Sequence, residues 1–487
     1  MDIQIISIVV YCLLGCLFGL FMGVIPTVGS TKALILLFSI VSLFGSMPYE
    51  FVAFSLAVAI SCTIGDSFAG VYMGVPGANG SVATIVDGFP LTKKGKSSYA
   101  ISLAVTTSGL QGLVWITPFI LIIPFYLDLI KYLKVPEIWS IIIFSFLSVS
   151  LLAGPSAIKS LIAIILGIGL GSIGSDVMNN PRFTFGYDDY LYDGIATIVI
   201  SAGLFSIPEM YTLYKSKISN NLIRANTNYN QIFQGIIDAV KLWRQSFIGG
   251  AIGFFYGLLP GYGGNPAEWI SYSISSKLKR KFKTPFGEGA PEGIVAPEGV
   301  NNASKAGALL PTILLGIPGA TWAMVITGLW EYKGFEIGDA SIIDDTLFIN
   351  AIIISYILSI IITVLLSLIL AKQLTTLLMI NKNVVIIAIT VLTWWATIST
   401  NYYLFILEDT IALIVFSLLG FTCKIHKISR PAILLGFILS NKVEMYTYQL
   451  IDLYQFNQII TRPFVIGVIM LSIIMVYYRK KFRIDYA

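Results

Sequence analysis

Two stretches decide how this chain folds: Gly19-Leu20-Phe21-Met22-Gly23-Val24-Ile25-Pro26-Thr27-Val28-Gly29 and Gly253-Phe254-Phe255-Tyr256-Gly257-Leu258-Leu259-Pro260-Gly261-Tyr262-Gly263. They align without a gap. A second pair, Met73-Gly74-Val75-Pro76-Gly77-Ala78 and Leu315-Gly316-Ile317-Pro318-Gly319-Ala320, aligns further along. Pro260 stands 234 residues after Pro26 and Pro318 stands 242 after Pro76, so a single displacement explains both matches. Proline lacks the amide hydrogen that continues a helical ladder, and glycine adopts backbone angles closed to other residues. Gly-x-x-Pro-x-x-Gly within apolar sequence therefore predicts an interrupted helix. A packing kink would produce any one of these motifs, but two ordered pairs at nearly one spacing favour duplication.

The 487 residues are 56% hydrophobic and 12% charged, against about 25% charged in soluble domains. Ser97 to Leu127 and Thr346 to Ala371 contain no charged side chain. Each run exceeds the roughly 20 residues that carry a helix across ~30 Å of hydrocarbon. Without water to satisfy the backbone, spanning segments are helices or closed barrels, and long unbroken apolar runs specify helices. The alternating segments of a barrel are missing. The expected fold class is an all-α integral membrane protein with about 10–13 transmembrane or re-entrant helices, in two homologous repeats with broken helices.

A polar stretch rich in Asn and Ser reads as a linker, dividing the chain into a first repeat, 1–214, a linker, 215–235, and a second repeat, 236–487. Ile3 to Ile25 lacks a basic leader and reads as a retained helix, not a cleaved signal. Cys12, Cys16, Cys62 and Cys423 show no CxxC spacing and read as small core residues. The basic clusters Lys93-Lys94-Gly95-Lys96, Lys277 to Lys283 and Arg479-Lys480-Lys481-Phe482-Arg483 mark candidate cytoplasmic faces, which places the C-terminus inside. A net charge of +5, spread over short loops, gives no footprint for nucleic acid.

Irregular backbone at membrane depth survives only where it lines a cavity or is buried in protein. Secondary transporters use such breaks: half-helix N-termini attract anionic groups and unwound carbonyls hold a coupling cation. The candidate substrate- or ion-binding residues follow from that plan. Around the first break they are Pro26, Thr27, Gly29 and Ser30, and around its counterpart Pro260, Gly261, Gly263 and Asn265. Around the second they are Asp66, Ser67, Asn79, Ser81 and Thr84, and near its counterpart Glu298, Asn301, Asn302, Pro318 and Gly319. Ionisable and amide groups at this depth are costly, so they pair, bind ions or line a pathway. Asp66 reads either as a buried carboxylate or as a helix-terminus cap. Sodium or protons suit these oxygen-rich neighbourhoods, which also contain Glu268, Glu292 and Lys305. Lys159, Lys241 and Arg244 read as snorkelling residues near helix ends.

Enzymatic chemistry finds little support. The single histidine, His426, lies in the basic stretch Lys424 to Arg430, and no HExxH, CxxC pair, P-loop or GxSxG elbow stands in a suitable context. No cofactor is expected, and without an ATP-binding signature the energy source is an ion gradient or a partner subunit. A passive channel, or a membrane scaffold or enzyme without transport activity, are the rival readings.

Taken with the rest of the chain, these motifs carry a family resemblance. Gly23-Val24-Ile25-Pro26, Val75-Pro76-Gly77, Asp87-Gly88-Phe89-Pro90, Pro181-Arg182-Phe183-Thr184-Phe185-Gly186, Glu292-Gly293-Ile294-Val295-Ala296-Pro297-Glu298 with Asn301-Asn302-Ala303, and Leu315-Gly316-Ile317-Pro318-Gly319 stand in order along it. The chain resembles the TctA family, the large membrane subunit of tripartite tricarboxylate transporters. The resemblance implies a cation-coupled secondary transporter in a prokaryotic plasma membrane, taking up di- or tricarboxylates. It also implies two partners besides membrane lipid, an extracytoplasmic solute-binding protein and a small membrane subunit; the oligomeric state, a homo-oligomer included, stays open. Three departures cluster at the presumed site: Pro26-Thr27 replaces Pro-Gly, Gly65-Asp66-Ser67 replaces a Gly-Gly-Ser run, and Lys305 replaces a small residue.

Overall fold

Helix follows helix along the whole chain in the computed structural model, which describes all residues except 1, 27, 39, 76–81, 131, 153–155, 177, 216–227, 261–264, 279–280, 340, 379–380, 400–402 and 482–487. The fold is 81% helical. Its described strands are a single antiparallel pair, Gly174–Ser175 with Pro181–Arg182. Six described helices are long and apolar enough to cross a bilayer: Gln4–Val24, Pro48–Met73, Ser97–Phe125, Thr346–Ile369, Lys382–Ser399 and Ile406–Ile425. Val135–Leu151, Ala157–Gly171 and Pro463–Tyr477 are shorter apolar helices. Ile158, Leu161, Ile162 and Ile165 on one helix and Leu407, Ile411, Ile414 and Leu418 on another face outward. In water such faces would aggregate, whereas hydrocarbon accepts them.

Two helices form the enclosed centre. In Pro48–Met73 every residue from Phe51 to Tyr72 is buried, and in Pro291–Leu315 every residue from Pro291 to Leu314 is. Each is covered by a glycine-rich neighbour: Asp2–Val24 packs on the first and Trp243–Gly257 on the second. Gly15, Gly19 and Gly23 meet the carbonyls of Phe54, Val58 and Cys62, while Gly249, Gly253 and Gly257 meet those of Ala296, Val300 and Ser304. A methyl group at Gly19 would lie 2.6 Å from the Val58 oxygen, and one at Gly253 would lie 2.6 Å from the Val300 oxygen. Lacking a hydrophobic drive between helices, membrane segments associate through such small-residue seams. The two seams match residue for residue: the glycines are displaced by 234 positions and their partners by 242.

The four expected interruptions fall between helices. Asp2–Val24 stops before Ile25-Pro26, and the next helix, Gly29–Leu37, opens on Gly29 at φ +62°. Trp243–Gly257 stops before Pro260, and the next helix starts at Asn265. Pro48–Met73 and Pro291–Leu315 both end on left-handed glycines, Gly74 at φ +67° and Gly316 at φ +62°, a termination that costs other residues Cβ strain. Pro76 itself lies outside the described residues. Ile317 to Ala320 lead into the helix Thr321–Tyr332.

Several boundaries differ from the hydropathy reading. Hydropathy reads Asn301–Leu329 as either one full span or a re-entrant hairpin; it is two helices, Pro291–Leu315 and Thr321–Tyr332, and the first starts ten residues earlier than Asn301. Glu292 and Glu298 hide that start, because their charges depress the local hydropathy although both are buried. Hydropathy also marks Pro431–Ser440 as a short candidate span; it belongs to a longer helix, Arg430–Leu453. The region 215–235 already contains the start of Tyr229–Lys241, capped by the Asn228 side chain accepting from the amides of Asn230 and Gln231. All four cysteines are buried and free.

Overpacking a well-filled contact costs about 1–3 kcal/mol. Gly19→Leu and Gly253→Leu are therefore expected to lower the melting temperature of the purified protein in detergent. Gly169→Leu, at a position with nothing within 4 Å of an added Cβ, should leave it unchanged; equal melting for all three variants would show that the seams carry no stability.

Candidate functional site

Glu298 is the centre from which the polar core extends. It is fully buried on Pro291–Leu315, and its carboxylate accepts from the Ser67 hydroxyl at 3.0 and 3.1 Å and from the Asn301 Nδ2 at 2.7 Å. Ser67 belongs to Pro48–Met73, so this contact joins the two enclosed helices. Asn301 lies one turn from Glu298 and reaches it along the same face. Thr84, on the helix Val82–Lys93, lies beside the same carboxylate without completing a hydrogen bond of ordinary geometry.

Two turns beyond Glu298, Lys305 is buried with 4% of its surface exposed. Its Nζ donates to Ser30 Oγ at 3.1 Å and sits 4.3 Å from the centroid of the Trp322 ring. Ser30 also shares a hydrogen bond of 3.2 Å with Thr63 of Pro48–Met73. Ser30 is the second residue of the helix that follows the Pro26 break, and Trp322 is the second residue of the helix that follows the Pro318 break. Lys305 thus touches the start of both.

Asp66 is 5% exposed, and its Oδ1 has no hydrogen-bond partner. It stands seven residues before the end of Pro48–Met73, which excludes the helix-terminus cap that the sequence left open. Lys305 and Lys32 are its neighbouring opposite charges and Glu298 its neighbouring like charge. Glu268, buried on Asn265–Lys277, has Glu298 and Asp66 as neighbouring like charges.

The sequence candidates separate into groups. Ser30, Asp66, Ser67, Thr84, Glu298 and Asn301 come together around this core. Asn302 does not: it donates to Ser108 at 3.1 Å and its carbonyl accepts from Tyr356 at 2.6 Å, against a different side of the helix. Pro26 and Gly29 frame the first break. Gly319 packs against the seam that ends at Pro260, since an added Cβ would lie 2.5 Å from the Gly257 oxygen and 2.8 Å from Ala308 Cα. Pro260 is buried and Pro318 precedes that contact. Thr27, Asn79, Ser81, Gly261 and Gly263 lie outside the described residues, and Asn265 starts its helix.

The sequence singles out Lys305 and Glu268 as neighbours of the breaks but not as binding residues, and it singles out neither Thr63 nor Trp322. A lysine within a run of small residues was a legible signal for the first, and Glu268 follows the Pro260 break. Trp322 and Thr63 carried none, because their roles depend on chain segments folding back over Pro291–Leu315.

A second buried acid is architectural. Asp87, on Val82–Lys93, accepts on one oxygen from the amides of Gly287, Gly289 and Ala290 at 2.9, 2.8 and 2.7 Å, and on the other from the Tyr272 hydroxyl at 2.9 Å. Gly287 at φ +86° and Gly289 at φ +101° let the turn aim its amides inward. Asp87 thereby clamps the first half of the chain to the turn that starts Pro291–Leu315.

The family model described as the Tripartite tricarboxylate transporter TctA family matches residues 9–435. A relative from Agrobacterium vitis, described as an uncharacterized 52.8 kDa protein in the TAR-I ttuC' 3' region, is 27% identical over 447 residues, covering 90% of this chain and 85% of the relative. Another from the same organism, an uncharacterized protein in the TAR-II ttuC' 3' region, is 36% identical over 86 residues, covering 18% of this chain and 35% of the relative. No solved structure matches the chain.

Asp87→Ala removes the acceptor for all four donors at that clamp. Leaving buried donors unmatched costs about 3 kcal/mol or more in total. A clear fall in melting temperature is expected, smaller for Asp87→Asn, which keeps one acceptor oxygen; an unshifted Ala variant would show that the clamp bears no load.

Proposed function

The chain belongs to the tripartite tricarboxylate transporter TctA family, and from that membership we propose that it is the large permease subunit, moving a di- or tricarboxylate by cation-coupled alternating access. As a member it is a multi-pass membrane subunit of a transporter. The observation that carries the finer reading is the placing of charge: Asp66, Glu268, Glu298 and Lys305 are all buried where the two enclosed helices meet the ends of broken ones. Charge at membrane depth is expensive and persists where it serves a pathway.

The residues divide by chemistry. Asp66, Ser67, Thr84, Glu298 and Asn301 offer oxygen atoms of the kind that hold a sodium ion or exchange a proton. The helix starts at Gly29 and Thr321 present the positive ends of their dipoles to a carboxylate. The matched glycine seams support the division into two related halves, 1–214 and 236–487, joined by the linker, with the Gly-Pro breaks as gates. The expected partners are an extracytoplasmic solute-binding protein that delivers the substrate and a small membrane subunit. The basic tail favours a cytoplasmic C-terminus in a prokaryotic plasma membrane.

Vesicles containing the chain, with its binding protein and small subunit, are expected to accumulate radiolabelled carboxylate above the external concentration when a sodium or proton gradient is imposed. Glu298→Gln and Asn301→Ala should each cut the initial rate about tenfold or more, with folded protein retained by size-exclusion chromatography. Equilibration without accumulation would make the protein a pore, and no uptake across citrate, tricarballylate, succinate and malate would sink the carboxylate assignment.

A further inference from the structure

We infer that Lys305 is the residue that receives a carboxylate group of the substrate, with Ser30 and Trp322 positioning its ammonium. The inference rests on the carboxylate-transport reading and specifies which side chain meets the anion.

Lys305 stands about 21 Å along a helix of about 37 Å, so its charge cannot reach either end of that helix. Its partners are a neutral hydroxyl and an aromatic ring. An ammonium has three hydrogens to donate, and one of them is matched by Ser30. Among the described residues no carboxylate forms an ion pair with it. Three partly buried arginines, Arg182, Arg430 and Arg462, each hold a glutamate at 2.7 Å, while the partly buried Lys442 donates to the backbone carbonyls of Gly316 and Ile337. Among the described residues Lys305 has neither kind of partner. Breaking a buried pair leaves an uncompensated charge that is strongly destabilising. Lys305 has Asp66 as a neighbouring opposite charge but, among the described residues, no carboxylate in contact with its ammonium, which leaves donor positions open to an anion from outside the chain.

The surroundings point to an anion of the same kind. Two helices, Gly29–Leu37 and Thr321–Tyr332, begin beside Lys305, and at neither start does a side chain cap the free amides. Helix starts carry partial positive charge and bind carboxylates. Two of them converging on an ammonium would repel one another and it, unless an anion completes the arrangement. The Asp66 carboxylate, with its unmatched Oδ1, lies in the same neighbourhood but outside ion-pair range. A cation bound at Asp66 would lessen its repulsion of the arriving anion, which ties substrate and ion binding to one pocket.

The test uses the full chain with its partner subunits in vesicles and the same four acids as probes. Lys305→Met and Lys305→Gln are expected to raise the half-saturating concentration of the transported acid about tenfold or more, while Lys305→Arg stays close to wild type. Because Trp322 stacks on the ammonium, the acid should also quench tryptophan fluorescence in the wild-type protein, and Trp322→Phe should lose that component. Unchanged half-saturation in both neutral variants would overturn the inference. So would the lack of a Trp322 response in a wild-type protein that takes up the acid, a readout that does not depend on any lysine variant folding. Uptake of none of the four acids by wild type would instead remove the carboxylate reading on which the inference stands.

Discussion

A chain surrounded by hydrocarbon has no water to satisfy its amides, carbonyls or charges, so every one of them must find its partner within the protein. The enclosed helices meet this demand with short contacts between neighbours. Ser61 bonds Thr363 at 2.5 Å, the Trp330 indole donates to Ser55 at 2.9 Å, and Asn302 donates to Ser108 at 3.1 Å. Each joins residues far apart in sequence, and each removes a polar atom from the list of liabilities. The glycine seams serve the same end by bringing backbones close enough for packing to replace the missing hydrophobic drive.

Against that background the incompletely satisfied groups stand out. Glu298 is matched by Ser67 and Asn301, but Asp66 keeps a buried oxygen without a donor, and Lys305 has no ion pair among the described residues. All three lie beside the helix breaks, where backbone amides are released from their ladder. Buried hydroxyls elsewhere, such as those of Thr106, Ser201 and Ser367, also lack a hydrogen-bond partner. What sets this cluster apart is that charged groups gather there, and none of Asp66, Glu298 and Lys305 stands in an ion pair among the described residues.

The frame is also fastened at specific polar contacts. Asp87 locks the Val82–Lys93 helix to the turn before Pro291, while Glu209 with Arg430 and Glu137 with Arg462 fasten the outer helices at 2.7 Å.

The sequence alone determined the class of fold and the places where helices stop. Both are local consequences: twenty or more apolar residues demand a spanning helix, and Gly-x-x-Pro denies the next turn its hydrogen bond. It also picked out Asp66, Ser67, Glu298 and Asn301, since charge and amide groups in apolar sequence announce themselves. Only the tertiary structure decided which of them meet. Asn301 and Asn302 are adjacent in sequence, yet the 3.6-residue helical turn sends one to Glu298 and the other to Ser108. Trp322 and Ser30 join Lys305 from segments 17 and 275 residues away, and no local pattern encodes a contact made by a chain folding back on itself.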